Sequence, residues 1–537
     1  MMVTAPETLF EQEFGLIADL VHAHARERPR NPALIDDRCT LSYSELDQLM
    51  DRVAVALQRD RVALGESVAI CAASCVDYGV VFLGAVRAGV AVAPLSPAST
   101  AESIVTMLAD CGAKILFLDE SVAVALARVA LPSGLQLVRL DRAPGVRSFE
   151  AWLAPAGGAP VPVNVAPDAA FNIIYSSGTT GTPKGIVQPH SMRWAHVCRA
   201  RTFGYDPEAV TICSTPLYSN TTLVSFFPAI AGGGAIVLMS KFEAGRFLEL
   251  SQRHRVTHAM LVPVQYRRLM DWPDFDRFDL GSYRMKFCTS APFAAALKAE
   301  VLRRWPGGLI EYYGMTEGGG TCMLQAHLFP DKLHTVGQPV PGHDIRLIDE
   351  HGNEVPPGQI GEVVGRSAAM MKGYFNQPGK TAEAEWHDAA GNRFIRTGDV
   401  GRFDADGFLT LMDRRKDMII SGGFNIYPSD LEAVLLQHPA VRDGAVVGVA
   451  STEWGETPVA FVVLREDATA SAEDIKQWTN ERVGKMQRLA AVRLATELPR
   501  NEIGKVLKRE LRDLYSAHEP SKNDCTAARQ KGGTSEL

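Results

Sequence analysis

The segment from 176 to 185 gathers groups that could bind phosphate into one short run. It reads Ser-Ser-Gly-Thr-Thr-Gly-Thr-Pro-Lys-Gly and supplies five hydroxyls, three glycines and Lys184. Glycines let backbone N–H groups approach a phosphate closely, while hydroxyls and an ammonium contact its oxygens. The run lacks the Gly-Lys-Ser/Thr of a Walker loop, which disfavours a P-loop NTPase. On its own such a run is more often an ordinary loop, so its meaning depends on the motifs that follow.

Several motifs follow in order. They are Tyr312-Tyr313-Gly314-Met315-Thr316-Glu317, Arg396-Thr397-Gly398-Asp399, Asp413-Arg414-Arg415-Lys416-Asp417, the pair Gly422-Gly423, and Pro499-Arg500-Asn501-Glu502-Ile503-Gly504-Lys505. Separately, each has a plain explanation as a helix start, a turn or a solvated charge. Together they resemble the adenylate-forming superfamily, which includes acyl- and aryl-CoA synthetases, adenylation domains of peptide synthetases, and firefly luciferase. The resemblance covers the chain from about residue 14 to 515.

The resemblance implies a nucleotide site. The phosphate loop would use Ser176, Ser177, Gly178, Thr179, Thr180, Gly181 and Lys184. Tyr313 and Gly314 would border adenine, Thr316 would contact the α-phosphate, and Glu317 would help hold Mg²⁺, a hard cation that favours carboxylate oxygen. Asp399 would accept the ribose hydroxyls, as suits an acceptor-only carboxylate, and Arg414 would also contact the ribose.

The same resemblance implies a two-step reaction with ATP, Mg²⁺ and coenzyme A. Lys505, Thr316 and Glu317 would act in catalysis, and Lys505 would bridge the substrate carboxylate and the α-phosphate. Lys416 stands at the position of the hinge, and Gly422 and Gly423 would leave room for the pantetheine arm. The C-terminal domain of similar enzymes rotates between the two half-reactions.

The acyl pocket is where this chain departs from the family pattern. Ser219 stands where histidine is common in Pro216-Leu217-Tyr218-Ser219-Asn220-Thr221-Thr222, and Thr289-Ser290-Ala291-Pro292 replaces the usual Gly-Gly-Ala-Pro. These changes add polar groups or bulk, which is consistent with a small or medium acid carrying an oxygen substituent. The candidate lining residues are Tyr218, Ser219, Asn220, Val262, Pro263, Thr289, Ser290, Met315 and Thr321.

Two functions stay open. The first is a carboxylic acid–CoA ligase, and the alternative is a stand-alone adenylation enzyme that loads an acyl or aryl acid onto a carrier protein. Residues 216 to 222 contain no Asp to pair with an ammonium, which disfavours an amino-acid substrate, and no carrier domain follows Lys505. A non-catalytic relative is disfavoured because Lys505, Glu317 and Asp399 are all present.

The elements that must position these residues form an α/β pattern. Apolar runs such as 67–70, 114–118, 136–140, 170–175, 235–238 and 258–262 alternate with helical segments and predict parallel sheets. Residues 141–168 are rich in Pro, Ala and Gly and suggest a surface loop, and turn signals after about 335 suggest hairpins. The resemblance adds to this pattern and implies an N-terminal AMP-binding domain over 1–412, formed by two parallel-sheet subdomains and a distorted β-barrel-like subdomain. A hinge over 413–416, a small mobile α+β lid domain over 417–515 and a disordered tail over 516–537 complete the predicted organisation.

The composition is normal for a soluble globular protein. The 537 residues are 46% hydrophobic and 22% charged, and the net charge of −7 gives no reason to expect a nucleic-acid partner. The nine scattered cysteines suit a reducing compartment, and the N-terminus lacks a signal-peptide pattern, so a cytoplasmic location is expected. No apolar stretch suits a membrane span. The expected partner is a small carboxylic acid, with a homodimer left open.

Overall fold

A computed structural model describes residues 5–141, 147–176, 183–414, 417–421, 424–451, 454–484, 487–501 and 504–517 of the chain. Its strands are β1 Pro32–Ile35, β2 Thr40–Ser42, β3 Ser67–Cys71, β4 Ala91–Pro94, β5 Ile115–Leu118, β6 Gln136–Arg139, β7 Ala170–Ser176, β8 Lys184–Pro189, β9 Val210–Cys213, β10 Ala235–Leu238, β11 His258–Leu261, β12 Met285–Cys288, β13 Gly308–Tyr313, β14 Cys322–Gln325, β15 Gln338–Pro339, β16 Asp344–Ile348, β17 Gly361–Arg366, β18 Gly373–Tyr374, β19 Glu385–His387, β20 Arg393–Phe403, β21 Leu409–Arg414, β22 Ile419–Ser421, β23 Phe424–Ile426, β24 Val441–Ser451, β25 Gly455–Leu464 and β26 Ala491–Leu494. Its α-helices are α1 Pro6–Phe10, α2 Ile17–Glu27, α3 Tyr43–Arg59, α4 Val76–Arg87, α5 Ala101–Cys111, α6 Glu120–Leu126, α7 Phe149–Trp152, α8 His190–Ala200, α9 Asn220–Ala231, α10 Ala244–Arg253, α11 Pro263–Met270, α12 Ala295–Arg304, α13 Pro378–Glu383, α14 Pro428–Leu435, α15 Ala472–Asn480 and α16 Lys508–Ala517.

Two large sheets confirm the predicted parallel architecture. One has the order β18-β8-β7-β4-β3-β5-β6, in which β7, β4, β3, β5 and β6 run parallel. The other has the order β15-β14-β13-β12-β11-β9-β10-β1-β2, and its parallel part extends from β13 to β1. All five residues of β3 are buried, as expected for a parallel strand covered on both faces.

A third sheet, ordered β16-β17-β20-β19 with β21 on β20, is the β-rich part that the turn signals indicate. Strands β16 and β17 pair antiparallel, and the Asp349 carboxylate accepts hydrogen bonds from the backbone N–H groups of His351 and Asn353 in the turn that follows β16. This turn is a side-chain-capped one of the kind that Asp favours. The hairpin signal at 349–353 is therefore confirmed.

The chain folds into two compact units. The first comprises Met1–Thr397 and Arg402–Thr410, and the second comprises Gly398–Gly401 and Leu411–Leu537. The boundary thus passes through the β20–β21 pair. Within the second unit, β23-β22-β25-β24 form a mixed sheet with β26 parallel to β25, and Leu431, Val446 and Ile475 belong to its buried core.

The segment 141–168 differs from its prediction as a surface loop. Its described part contains α7, where Phe149 and Trp152 are 3% and 0% exposed. The Ser148 side chain caps this helix by accepting from the Ala151 N–H, and Trp152 packs edge-on against Phe117 at 5.0 Å between ring centroids. Burial of two aromatic side chains outweighs the loop-forming composition around them.

Two further features of the described chain concern its cysteines and the apolarity of its helices. Eight of the cysteines are free, and none of them forms a disulfide. None of the helices that the structure describes is long and apolar enough to cross a membrane.

Candidate active site

The phosphate loop connects two antiparallel neighbours in the seven-stranded sheet. Strand β7 ends at Ser176 and β8 begins at Lys184, and these two residues are paired across the ladder. The two ends of the loop are therefore held together by the sheet. Residues 177–182, which include the predicted Ser177, Gly178, Thr179, Thr180 and Gly181, lie outside the described part of the chain.

Tyr374 joins the lysine of this loop to the predicted metal-binding carboxylate. The Lys184 ammonium lies 4.5 Å from the centroid of the Tyr374 ring, a cation–π distance. The Tyr374 hydroxyl donates a hydrogen bond of 2.8 Å to Glu317 Oε1. Burial raises the pKa of Tyr374, and the Glu317 carboxylate raises it further, so the phenol remains a donor at neutral pH.

Thr316 and Glu317 lie in a turn directly after β13, not at the start of a helix. Gly318 and Gly319 continue this turn with φ values of 76° and 85°. A Cβ at Gly318 would come within 2.1 Å of the Ala369 carbonyl oxygen, so only glycine fits there. The carboxyl ends of parallel strands commonly carry ligand sites in α/β sheets, and β13 places this turn at such an end.

A buried amide network connects the turn to α8 and α9. Gln188 Nε2 donates to the Thr316 carbonyl at 2.6 Å and to Asn220 Oδ1 at 3.3 Å. Asn172 Nδ2 donates to Gln188 Oε1 at 2.9 Å, and these two residues are opposite each other on β7 and β8. Arg193 donates to Asn172, Gln188 and Asn220.

The charge of Arg193 makes this network unusual. Its side chain is 0% exposed, and its hydrogen bonds to described residues all go to neutral amide oxygens. The guanidinium also stands over the rings of Phe171 and Phe227, and Nη1 has no hydrogen-bond partner in the described part of the chain. Burial lowers the pKa of Arg193 to about 9, so the group is charged at neutral pH.

Three of the acyl-pocket candidates, Ser219, Asn220 and Ser290, lie at or beside the start of α9. Ser219 is the N-cap of this helix and Asn220 is its first residue. The next residue, Thr221, forms a 2.5 Å hydroxyl–hydroxyl hydrogen bond with Ser290. Ser290 has φ 80°, a left-handed conformation that a side chain rarely adopts and that glycine would take without strain. Ser290 therefore adopts a backbone conformation that suits glycine, and it adds a hydroxyl at this position.

The other pocket candidates lie in different surroundings. Tyr218 and Thr289 are half-buried, and Val262 is buried as the N-cap of α11. Met315 packs against a cluster that contains Ile186 and Tyr374. We call residues 314–319 the nucleotide turn, after the role predicted for them. Thr321 borders this segment, because a Cβ on Gly314 would lie 3.4 Å from Thr321 Oγ1.

The remaining candidates belong to the second unit. Asp399 lies in β20. The Lys505 backbone N–H donates to Asn501 Oδ1, and the Lys505 carbonyl accepts from the Asn501 N–H. Only the backbone of Arg414 is described, at the end of β21. Lys416, Gly422 and Gly423 lie outside the described residues. Of the tail predicted over 516–537, Ser516 and Ala517 belong to α16 instead, and the rest lies outside the described residues.

Several residues of this site were missed by the motif analysis. Tyr374, Gln188 and Arg193 contact predicted residues, and Asn172 contacts Gln188 and Arg193. None of the four belongs to a motif. One usable signal exists for two of them, since Asn172 and Gln188 interrupt otherwise apolar strands. A buried polar side chain in such a strand needs a partner.

Comparison with known proteins identifies the chain's relatives. The model of the AMP-binding enzyme family matches residues 21–375, and that of the AMP-binding enzyme C-terminal domain matches residues 430–505. A fatty acid–[acyl-carrier-protein] ligase, ScoC of Streptomyces coeruleorubidus, is 31% identical, with 95% of this chain and 98% of the relative covered. The 4-coumarate–CoA ligase 5 of Oryza sativa subsp. japonica is 32% identical, with 94% and 95% covered.

A solved structure extends the similarity to the fold. The amide bond synthetase McbA from Marinactinospora thermotolerans superposes with a TM-score of 0.82 at 27% sequence identity, covering 93% of this chain and 99% of that one. By name, the first two relatives join an acid to an acyl-carrier protein or to CoA, and the third forms an amide bond.

Proposed function

The chain belongs to the AMP-binding enzyme family, and we propose that it joins a carboxylic acid to coenzyme A through an acyl-adenylate. The chain matches nearly the whole length of these two relatives, and the family models for the AMP-binding part and for its C-terminal domain both match it. The observation that carries the proposal is the arrangement of Lys184 and Glu317 around Tyr374.

This arrangement suits a site for ATP. Among the described residues Lys184 forms no ion pair with a carboxylate, and Tyr374 separates it from Glu317 by contacting both. The ammonium is therefore available to phosphate oxygens, and the carboxylate is held in one orientation by a donor that stays protonated. Positioned charges of this kind are the main contribution that a protein makes to reactions at phosphate.

The first half-reaction forms the adenylate. A carboxylate oxygen attacks the α-phosphorus of ATP, the bond from that phosphorus to the bridging oxygen breaks, and pyrophosphate leaves with the electron pair. Lys184 offsets charge on the β- and γ-phosphates, and Thr316 contacts the α-phosphate. Asp399 and Arg414 bind the ribose, Tyr313 and Gly314 border adenine, and Lys505 bridges the substrate carboxylate and the α-phosphate; these assignments rest on position in the family motifs.

Mg²⁺ fits the donor chemistry of the turn. Glu317 offers carboxylate oxygen, which is the ligand type that Mg²⁺ prefers. The described residues contain no group of three His, Cys, Asp or Glu side chains that could hold a metal by themselves, so the other ligands would be phosphate oxygens and water. When bound, Mg²⁺ supplies positive charge that offsets the phosphates of ATP.

The second half-reaction transfers the acyl group to a thiol. The thiolate sulfur attacks the acyl carbon, the bond to the adenylate oxygen breaks, and AMP leaves. Lys505 is not needed at this step, so the C-terminal domain can alternate between the two reactions about Lys416 and present Gly422 and Gly423 to coenzyme A. A carrier protein as acceptor is the second candidate, which the name of ScoC favours.

The test is a pyrophosphate-release screen over carboxylic acids, run with and without coenzyme A and followed by mass spectrometry of the products. We expect acid-dependent pyrophosphate release and an acyl-CoA product for the same acid. Release of pyrophosphate with no acyl-CoA at any acid would favour the carrier-protein alternative. If no acid supports pyrophosphate release, the proposed function is wrong.

A further inference from the structure

A group of basic side chains borders the nucleotide turn on the side of Tyr312 and Thr321. Arg199 and His196 lie on α8, three residues apart and therefore on one face of the helix. Arg199 Nη1 lies 3.1 Å from His343 Nε2, and the Arg199 guanidinium carbon lies 6.0 Å from the centroid of the Tyr312 ring. We call Arg199, His196 and His343 the basic cluster.

No acidic side chain neutralises this cluster within the described part of the chain. The one polar atom that lies within hydrogen-bond distance of the Arg199 side chain there is His343 Nε2, and its ring contact is with Tyr312. His196 Nδ1 is buried without a hydrogen-bond partner. Burial lowers the pKa of His196. Arg199, Arg193 and His343, all of them basic, lower it further.

His343 cannot accept hydrogen bonds at both ring nitrogens while it stays neutral. Its Nδ1 accepts from the Thr321 backbone N–H at 3.0 Å, which places the ring proton on Nε2. His343 Nε2 and Arg199 Nη1 are 3.1 Å apart. Both nitrogens then carry protons, so two hydrogen-bond donors lie side by side without an acceptor. Burial and Arg199 lower the pKa of His343 to about 4, so the ring is neutral at physiological pH. An anionic oxygen placed beside both donors would remove this conflict.

The cluster is close to the place where the acid must react. Thr321, whose amide holds His343, also lies against Gly314, the residue that starts the nucleotide turn. Tyr312, which borders Arg199, directly precedes Tyr313. A short substrate whose reacting carboxylate is at the turn could thus extend its other end to Arg199.

We infer that Arg199 and His343 bind a second carboxylate of the substrate, so that the acid activated is a dicarboxylic acid. The inference rests on the proposed function, because it names the substrate class of that same site. A guanidinium suits this role, since its donors match the two oxygens of a carboxylate. His196 adds a second imidazole on the same side of α8.

The experiment compares acids that differ only in the second carboxylate. Straight-chain dicarboxylic acids of increasing length, with monocarboxylic acids of equal length, and the aromatic pair isophthalate and benzoate are assayed by pyrophosphate release. The variants are Arg199→Met, which removes the charge, and Arg199→Lys, which retains the charge but lacks the paired N–H donors of a guanidinium. The matched control is Arg201→Met, because Arg201 is exposed at the end of the same helix and packs over Phe10 instead.

For the wild type and the control, we expect kcat/KM to favour the diacid of at least one pair by roughly 10- to 100-fold. Arg199→Met should abolish this preference by lowering kcat/KM for the diacid alone, and Arg199→Lys should restore part of it. Melting temperatures and ATP binding of each variant show whether it is folded, and Arg199→Lys provides the test if Arg199→Met is not.

Two results would overturn the inference while leaving the proposed function intact. One is turnover of monoacids to acyl-CoA with no diacid preference in any pair. The other is an equal loss for both members of a pair in Arg199→Met, which would mean that Arg199 binds the reacting carboxylate or only supports the fold. Failure of every acid to release pyrophosphate would instead overturn the proposed function, and the inference with it.

Discussion

Tyr374 Oη lies 2.8 Å from Glu317 Oε1, and the two residues are 57 positions apart in the chain. The same tyrosine ring carries the Lys184 ammonium on its face. One side chain therefore orients both of the charged groups that the family motifs assign to the phosphates and to Mg²⁺. Its hydroxyl and its ring can be tested separately.

Tyr374→Phe keeps the ring and removes the hydroxyl. Because the Glu317 carboxylate would lose a fixed donor, we expect a higher Mg²⁺ requirement and a roughly 10-fold loss of kcat for adenylation, with the KM for ATP little changed. Pyrophosphate release as a function of Mg²⁺ and ATP measures both effects. Tyr283→Phe removes a similarly buried phenol, bonded to Ser251, and is the control. An unchanged Mg²⁺ dependence in Tyr374→Phe would contradict the role given to this hydrogen bond.

Gln188→Glu tests the link between the amide network and the nucleotide turn. A carboxylate can still accept from Arg193 and Asn172, but it cannot donate to the Thr316 carbonyl, which lies 2.6 Å from the present amide nitrogen. We expect a folded protein whose adenylation rate falls by roughly 10- to 100-fold, because an oxygen would then face an oxygen.

The comparison variant for that prediction is Gln58→Glu, since Gln58 donates to the Val161 carbonyl on the exposed side of the same unit. Its activity should equal that of the wild type. Full adenylation activity in Gln188→Glu would show that the turn does not depend on this hydrogen bond.

The local parts of this structure could be predicted from the sequence, and the long-range parts could not. The ends of β7 and β13 follow from largely apolar runs that stop before Gly178 and Gly314. Thr316 and Glu317 stand just after the second of these breaks, and Lys184 begins the next strand, β8. Tyr374 reaches Glu317 only after the short strand β18 pairs with β8, a contact between distant segments. Local sequence patterns do not predict such a pairing.

The burial of the Arg193 charge is a second feature that local sequence could not predict. In the sequence Arg193 is one basic residue in an amphipathic helix, which is normally a solvated position. Its burial depends on amides from two strands and a second helix that meet only in the fold. Likewise, the sequence predicts added bulk at Ser290, whereas the positive φ and the bond to Thr221 are tertiary features.

His258 should make the large unit less stable in acid. Burial lowers the pKa of His258 to about 4, and its ring is enclosed by hydrogen bonds to Thr257 and the Phe203 carbonyl. As pH falls from 6.5 to about 4, His258 is protonated in the unfolded state but not in the folded state. The free energy of unfolding therefore decreases over that interval. The loss approaches about 3 kcal/mol for one such group.

His258→Gln should therefore show a smaller fall in apparent melting temperature across this pH range than the wild type. His351→Gln, which changes a histidine that is mostly exposed, should retain the wild-type pH dependence. Equal pH slopes for His258→Gln and the wild type would show that His258 is not a source of acid lability.

Lys505→Ala separates the two half-reactions. We expect adenylation to fall roughly 100- to 1000-fold, because a positive charge at the α-phosphate is lost, while thioester formation from supplied acyl-AMP is largely retained. Rapid-quench assays of each half-reaction measure this difference. Lys476→Ala removes another lysine of the same unit, which pairs with Glu473, and should leave both half-reactions unchanged. Equal loss of both half-reactions in Lys505→Ala would contradict its assignment to the first.

Lys416→Pro should have the opposite effect. Proline restricts φ near −65°, so a residue that must change its backbone angles between the two reactions could no longer do so. We expect adenylation near the wild-type rate and a strong loss of thioester formation, measured by the same two assays. Lys416→Ala removes the charge without restricting φ, and it should retain both reactions. A hinge at Lys416 is contradicted if the proline variant forms thioester normally, or if the alanine variant loses as much activity as the proline variant.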